Sequence, residues 1–168
     1  MHKLKILAII YCMKTNKQKI ISYVVIIASI LLVAVLGSVF VNLGMDWFSS
    51  LETPSKFVPS FIIPIVWTII YVVFSIVLCR WASNENLRKS TIVLLIVNGI
   101  LNILWCLLFF TLNQTLWGLI SIVLLLISAW LLVVDIYTQK PKYALITLIY
   151  PVWVSIATTL NLALWILN

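Results

Sequence analysis

Five stretches of about twenty mostly apolar residues, the length that crosses a bilayer as a helix, dominate this chain and leave it few ways to fold. They cover approximately residues 20–42, 60–81, 90–112, 115–137 and 143–168. None alternates polar and apolar residues as a barrel strand does. In lipid the backbone must satisfy its own hydrogen bonds, so each stretch is expected to be a helix. The fold class that follows is an all-α integral membrane protein, a bundle of five transmembrane helices. Residues 1–19 form an N-terminal tail and residues 20–168 the membrane domain.

Composition supports lipid as the solvent: 64% of residues are apolar and 9% charged, too few charges to cover a soluble domain. The net charge of +7 does not point to nucleic acid, because the basic residues sit in short caps between apolar runs and form no basic face. They act as topology signals instead. Ten of the eleven Lys and Arg fall at one end of the expected bundle, in the N-terminal tail, the second connection and the fourth. Lys56 stands alone at the other end. By the positive-inside rule the N-terminus is cytoplasmic and the C-terminus outside. The patch Leu4 to Cys12 is short and is followed by lysines, so residues 1–19 read as a cytoplasmic tail rather than a cleaved signal. A bacterial cytoplasmic membrane is the expected location.

The connections differ in length. Residues 43–59 form the one long loop, broken by Gly44, Pro54 and Pro59, and a long loop among short ones is where function concentrates. Cys12, Cys79 and Cys106 have no metal spacing and read as buried thiols. With His2 as the only histidine, no metal site or conventional catalytic set is expected. Asp135 reads as an interfacial carboxylate close to Lys140. Polar and aromatic side chains recur at helical spacing within the spans. Asn98, Asn102, Trp105 and Phe109 share one face, as do Trp153, Ala157 and Asn161. Pro64, Trp67 and Tyr71 form a third row, and Trp117, Ser121 and Ser128 a fourth. Two readings of these rows remain open. They are interhelical glue, or Trp67, Trp105 and Trp153, which sit deeper than a belt tryptophan, line a pocket for a flat aromatic ligand.

Several of these residues fall into a familiar order. The segment Trp47-Phe48-Ser49-Ser50-Leu51-Glu52-Thr53-Pro54, then Pro59, Trp67 and Tyr71, resembles the signature of the translocator protein family, the tryptophan-rich sensory proteins or peripheral benzodiazepine receptors. The resemblance continues through Asn102 to Phe110, Trp117-Gly118-Leu119, and Trp153 to Asn161. It implies a five-helix bundle, usually a homodimer, whose first loop is a lid over an intramembrane pocket. The implied ligands are porphyrins and aromatic drug-like molecules, with membrane lipid around them and no required cofactor. By the same resemblance, Trp67 and Trp153 match positions associated with light-dependent porphyrin breakdown. Phe48, Tyr71, Asn102, Trp105, Cys106, Ser121 and Ala157 match pocket-lining positions. Trp47 and Pro54 of the lid, with Phe109 and Asn161, complete the expected binding set, and Lys56 is a candidate contact for a porphyrin propionate. The chain departs from the pattern in having Phe48 for the usual Tyr and Lys56 for a usual Trp, and in lacking the Tyr and Arg of the animal sterol motif. The function expected is a membrane receptor or sensor for porphyrins. The alternatives are a transporter of tetrapyrroles or other amphipathic solutes, and a structural or regulatory membrane subunit.

Overall fold

The computed structural model describes residues 15–54, 59 and 61–168, and all its regular structure is helical. Helix α1 is Asn16–Leu43, and a short α2, Met45–Ser50, follows it. Helix α3 is Ile62–Asn84, and α4 is Lys89–Cys106, continued by a π-helical turn over Leu107–Thr111. Helix α5 is Thr115–Gln139, and α6 (Pro141–Thr147) with α7 (Ile149–Leu167) makes the last span. Five helical units are long and apolar enough to cross a membrane.

Local chemistry accounts for the ends. Helix α1 starts four residues before the apolar run because Thr15 caps it: the Gln18 amide donates to the Thr15 hydroxyl, and the Thr15 amide to the Gln18 side chain. It stops at Gly44, where any Cβ would overlap the Phe110 carbonyl. The connection after α4 is tight because Asn113 takes φ 56°, the left-handed region that asparagine tolerates. Pro141 begins α6 at a position where no amide hydrogen is needed. The last span is interrupted at Leu148, since Pro151 has no N–H to give the Thr147 carbonyl. The long loop carries α2, an element that its turn-rich sequence did not announce.

The spans form a ring in the order α1, α3, α6–α7, α5, α4, with α4 returning to α1. Helix α5 is the most enclosed, with Ile122, Leu125, Ala129, Leu132 and Ile136 wholly buried. Helix α1 lies between α3 and α4, whose backbones stay apart while Trp67 and Trp105 meet across the gap. Its one buried residue is Gly37, and its other faces remain apolar and exposed. That pattern is expected where lipid replaces water. Among the described residues, Lys17, Lys19, Arg80, Arg88, Lys89, Lys140 and Lys142 gather at one end, and Asp46 and Glu52 lie at the other.

Asp135 and Lys140 lie at the same end and take different partners. Lys140 forms an ion pair with Glu85, not with Asp135. Asp135 instead accepts from Ser90 at 2.7 Å, Thr91, and the Gln139 side chain at 2.9 Å. It ties the start of α4 to the end of α5. Three donors within reach satisfy the carboxylate, so it needs no cation.

Candidate functional site

Aromatic side chains from four elements meet in the half of the bundle nearer α2. The π-turn sets this up, since widening one turn swings Phe109 and Phe110 inward together. Their rings cross edge to face at 4.9 Å. Trp47 packs edge-on to Phe109 at 5.6 Å, and Phe48 lies 5.2 Å from Phe110, so α2 covers this cluster. Trp105 stacks near Phe109 at 6.5 Å and faces Trp67 at 6.1 Å. Trp67 continues the chain to Tyr71 at 5.9 Å and Tyr150 at 6.2 Å. Offset and edge-to-face arrangements at these distances are the favourable ones for aromatic quadrupoles.

Polar side chains hold this half in register. The Trp105 indole N–H donates to the Asn161 carbonyl oxygen at 3.2 Å, and the Asn161 amide donates to the Ala157 carbonyl at 3.0 Å. The Tyr150 hydroxyl donates to Asn98 at 2.6 Å, and Asn98 donates to Ser128 at 2.8 Å. Both sets join α4 to α7, which are not neighbours in the ring. Of the two pocket-or-glue readings, Asn98, Asn161 and Ser128 thus have partners that suit glue. Among the described residues, the indole N–H groups of Trp81 and Trp153 are buried without a hydrogen-bond partner.

Beside this cluster is a cavity of about 700 Å³ between α1, α3 and α4. Trp67, Tyr71, Phe74 and Tyr150 form one end of its wall, with Asn98 and Asn102 as polar points beside them in a mostly apolar lining. Of the residues expected to bind a ligand, Trp67, Tyr71 and Asn102 line this space. Trp105, Cys106, Phe109, Ser121, Trp153, Ala157 and Asn161 are buried in the adjoining interior. Trp47, Phe48 and Pro54 are half-buried in or next to α2, and Lys56 lies outside the described residues. Glu52 is held to the end of α7: its N–H donates to Asn168 at 2.9 Å, and the Asn168 amide donates back to its carbonyl at 3.1 Å.

Most of the wall was missing from the sequence-derived set, Phe74, Asn98 and Tyr150 among it. Asn98 carried a signal, being four residues before Asn102 on the same face. Tyr150 reaches the cavity from α7 through the rotation of that helix about its axis.

The structure thus defines a class: a five-helix integral membrane protein with an intramembrane cavity that has an aromatic end. The TspO/MBR family profile matches residues 24–166. The chain is 32% identical to the tryptophan-rich protein TspO of Archaeoglobus fulgidus over 156 residues, which cover 90% of this chain and 99% of that protein. It is 31% identical to the tryptophan-rich protein TspO of Chlorobaculum tepidum over 159 residues, 91% of this chain and 99% of the relative. Against protein CrtK of Rhodobacter capsulatus it is 30% identical over 125 residues, 73% and 78% of the two chains. The chain belongs to the TspO/MBR family.

Proposed function

We propose that this protein binds flat aromatic ligands, porphyrins foremost, and acts as a membrane receptor or sensor for them. The observation that carries the reading is the meeting of Trp67, Tyr71 and Tyr150 on the cavity wall beside Asn98 and Asn102. Apolar walls with aromatic faces and a few placed polar groups are what an orienting pocket for such a molecule requires. Indole and phenol rings can stack on a macrocycle, and the amides can bond its polar edge. Trp105 backs Trp67 and Trp153 lies deeper, its indole N–H without a partner among the described residues. Light-dependent breakdown of bound porphyrin, involving Trp67 and Trp153, is the subsidiary part of the proposal. The setting we infer is a bacterial cytoplasmic membrane with the basic end inward, and a homodimeric assembly.

The test is quenching of tryptophan fluorescence by protoporphyrin in detergent, first in the dark and then under illumination. Saturable quenching in the dark that weakens in Trp67→Phe is the expected result. Loss of the porphyrin absorbance in light, absent in Trp67→Phe and Trp153→Phe, is expected for the subsidiary part. Quenching that never saturates would reject the receptor reading and favour a subunit serving a membrane partner.

A further inference from the structure

The cavity is longer than the aromatic site needs. Its wall runs along α3 from Trp67 to Ala82 and along α4 up to Ile103, about 20 Å at the helical rise. The lining is chemically two-ended. Aromatic rings stop at Phe74. Beyond them come aliphatic side chains, among them Val25, Ile26, Leu78, Leu95 and Ile96, as far as Asn86 and Leu87 at the basic end of the bundle. Val25, Leu32, Ile96 and Ile100 line the space and are also more than half exposed, so it opens sideways between α1 and α4 into the surrounding lipid.

The mouth of the aliphatic end is positive. Arg88 and Lys89 directly follow Leu87, and Lys17 and Lys19 stand within about one turn of Ile21 and Ser22 on α1. Among the described residues, none of these four cations has an acidic partner. The carboxylates at this end are already engaged, Glu85 by Lys140 and Asp135 by Ser90, Thr91 and Gln139. The charge is therefore left for something outside the chain. An apolar channel somewhat longer than one leaflet of a ~30 Å hydrocarbon core, open to the bilayer and rimmed by unpaired cations, has the chemistry of one occupant in particular.

We propose that this groove binds an anionic phospholipid. One acyl chain would lie between α1, α3 and α4, with its end toward Phe74, and the phosphate would rest at Arg88, Lys89, Lys17 and Lys19. Juxtamembrane cations attract anionic headgroups, and the groove adds an acyl-chain slot that a bare basic patch lacks. This site is separate from the porphyrin reading, since it uses the aliphatic end and the basic mouth.

The experiment is native mass spectrometry of the intact protein in detergent, titrated with palmitoyl-oleoyl phosphatidylglycerol or with phosphatidylcholine of the same chains. Phosphatidylglycerol is expected to bind as a discrete one-per-chain adduct, more tightly than phosphatidylcholine. The Arg88→Gln/Lys89→Gln double variant is expected to weaken it roughly tenfold to thirtyfold, from the attraction of a surface cation for anionic lipid. Ser29→Trp, which places an indole in the groove, should lower binding of both lipids. A phosphatidylglycerol with a diazirine in the acyl chain, photolysed on wild-type protein, should label α3 or α4 residues between Phe74 and Ile103. Equal binding of the two lipids, no effect of the double variant, or labelling confined to the outer face of α5 would overturn the proposal. The wild-type labelling decides the matter even where Ser29→Trp fails to fold. Protoporphyrin quenching measured on the same samples keeps failure of this site distinct from failure of the aromatic one.

Discussion

Removing the hydroxyl of Tyr150 isolates one interhelical bond with little change in shape. The residue is 4% exposed, and its O–H donates to the Asn98 oxygen at 2.6 Å, at the short end of the range for such bonds. Tyr150→Phe keeps the ring in its contacts with Trp67 and Phe74 and leaves the Asn98 oxygen without this donor. Hydrogen bonds between membrane helices average ~0.6 kcal/mol and reach ~1.7 kcal/mol, because the separated helices also find partners. A short bond that leaves a buried acceptor behind belongs in the upper half of that range, so a loss of about 1.2–1.7 kcal/mol is expected. Asn98→Leu should cost a similar amount or more, since it also removes the bond to Ser128 at 2.8 Å. Combined, the two substitutions should destabilise by less than their separate effects added, with a coupling of about 0.6–1.7 kcal/mol. The assay is reversible unfolding from mixed micelles with increasing dodecyl sulfate, followed by circular dichroism. Additivity within ~0.3–0.5 kcal/mol would refute the claim that this bond ties α7 to α4.

Two glycines on and next to α1 should behave oppositely. Gly44→Ala drives a Cβ into the Phe110 carbonyl, which as backbone cannot turn away, and should cost about 1–3 kcal/mol or more, read as a lower melting temperature in detergent. Gly37→Ala meets Cys106 Sγ at 3.5 Å, an ordinary contact, and should stay within about 0.5 kcal/mol of wild type; the reverse ranking would contradict the described packing. Asn168→Ala should leave global stability within about 1.5 kcal/mol of wild type while speeding hydrogen exchange at the Glu52 amide, whose acceptor it deletes. Unchanged exchange there would mean that Asn168 does not hold the loop.

The helical class and the five spans were legible because hydropathy is a sum along the chain. Lipid rewards each long apolar run without reference to its neighbours, and the uncompensated cost of a bare backbone forces each run into a helix. Helix ends were read only to within a few residues, since they depend on small local devices such as the Thr15–Gln18 capping box. The basic residues at one end were equally plain, because they fall in connections and need no packing to be placed.

The contents of the interior required the tertiary structure. Helical spacing put Asn98, Asn102, Trp105 and Phe109 on one face, yet it left open whether that face met a neighbour, a cavity or lipid. That choice depends on how each helix is rotated about its axis, and lipid is nearly indifferent to rotation when most of a helix is apolar. Specific contacts then decide: Tyr150 reaching Asn98, Trp105 reaching Asn161, and the π-turn bringing Phe109 and Phe110 together. Among the deep tryptophans, only Trp67 emerged on the cavity wall, while Trp105 and Trp153 are in the packed interior. Asp135 found hydroxyl and amide donors that its place in the sequence did not name. The sequence by itself determined that the chain crosses a membrane as five helices with its basic connections on one side. Only packing decided which polar and aromatic groups meet, because a contact depends on the positions of two helices at once and hydropathy describes one segment at a time.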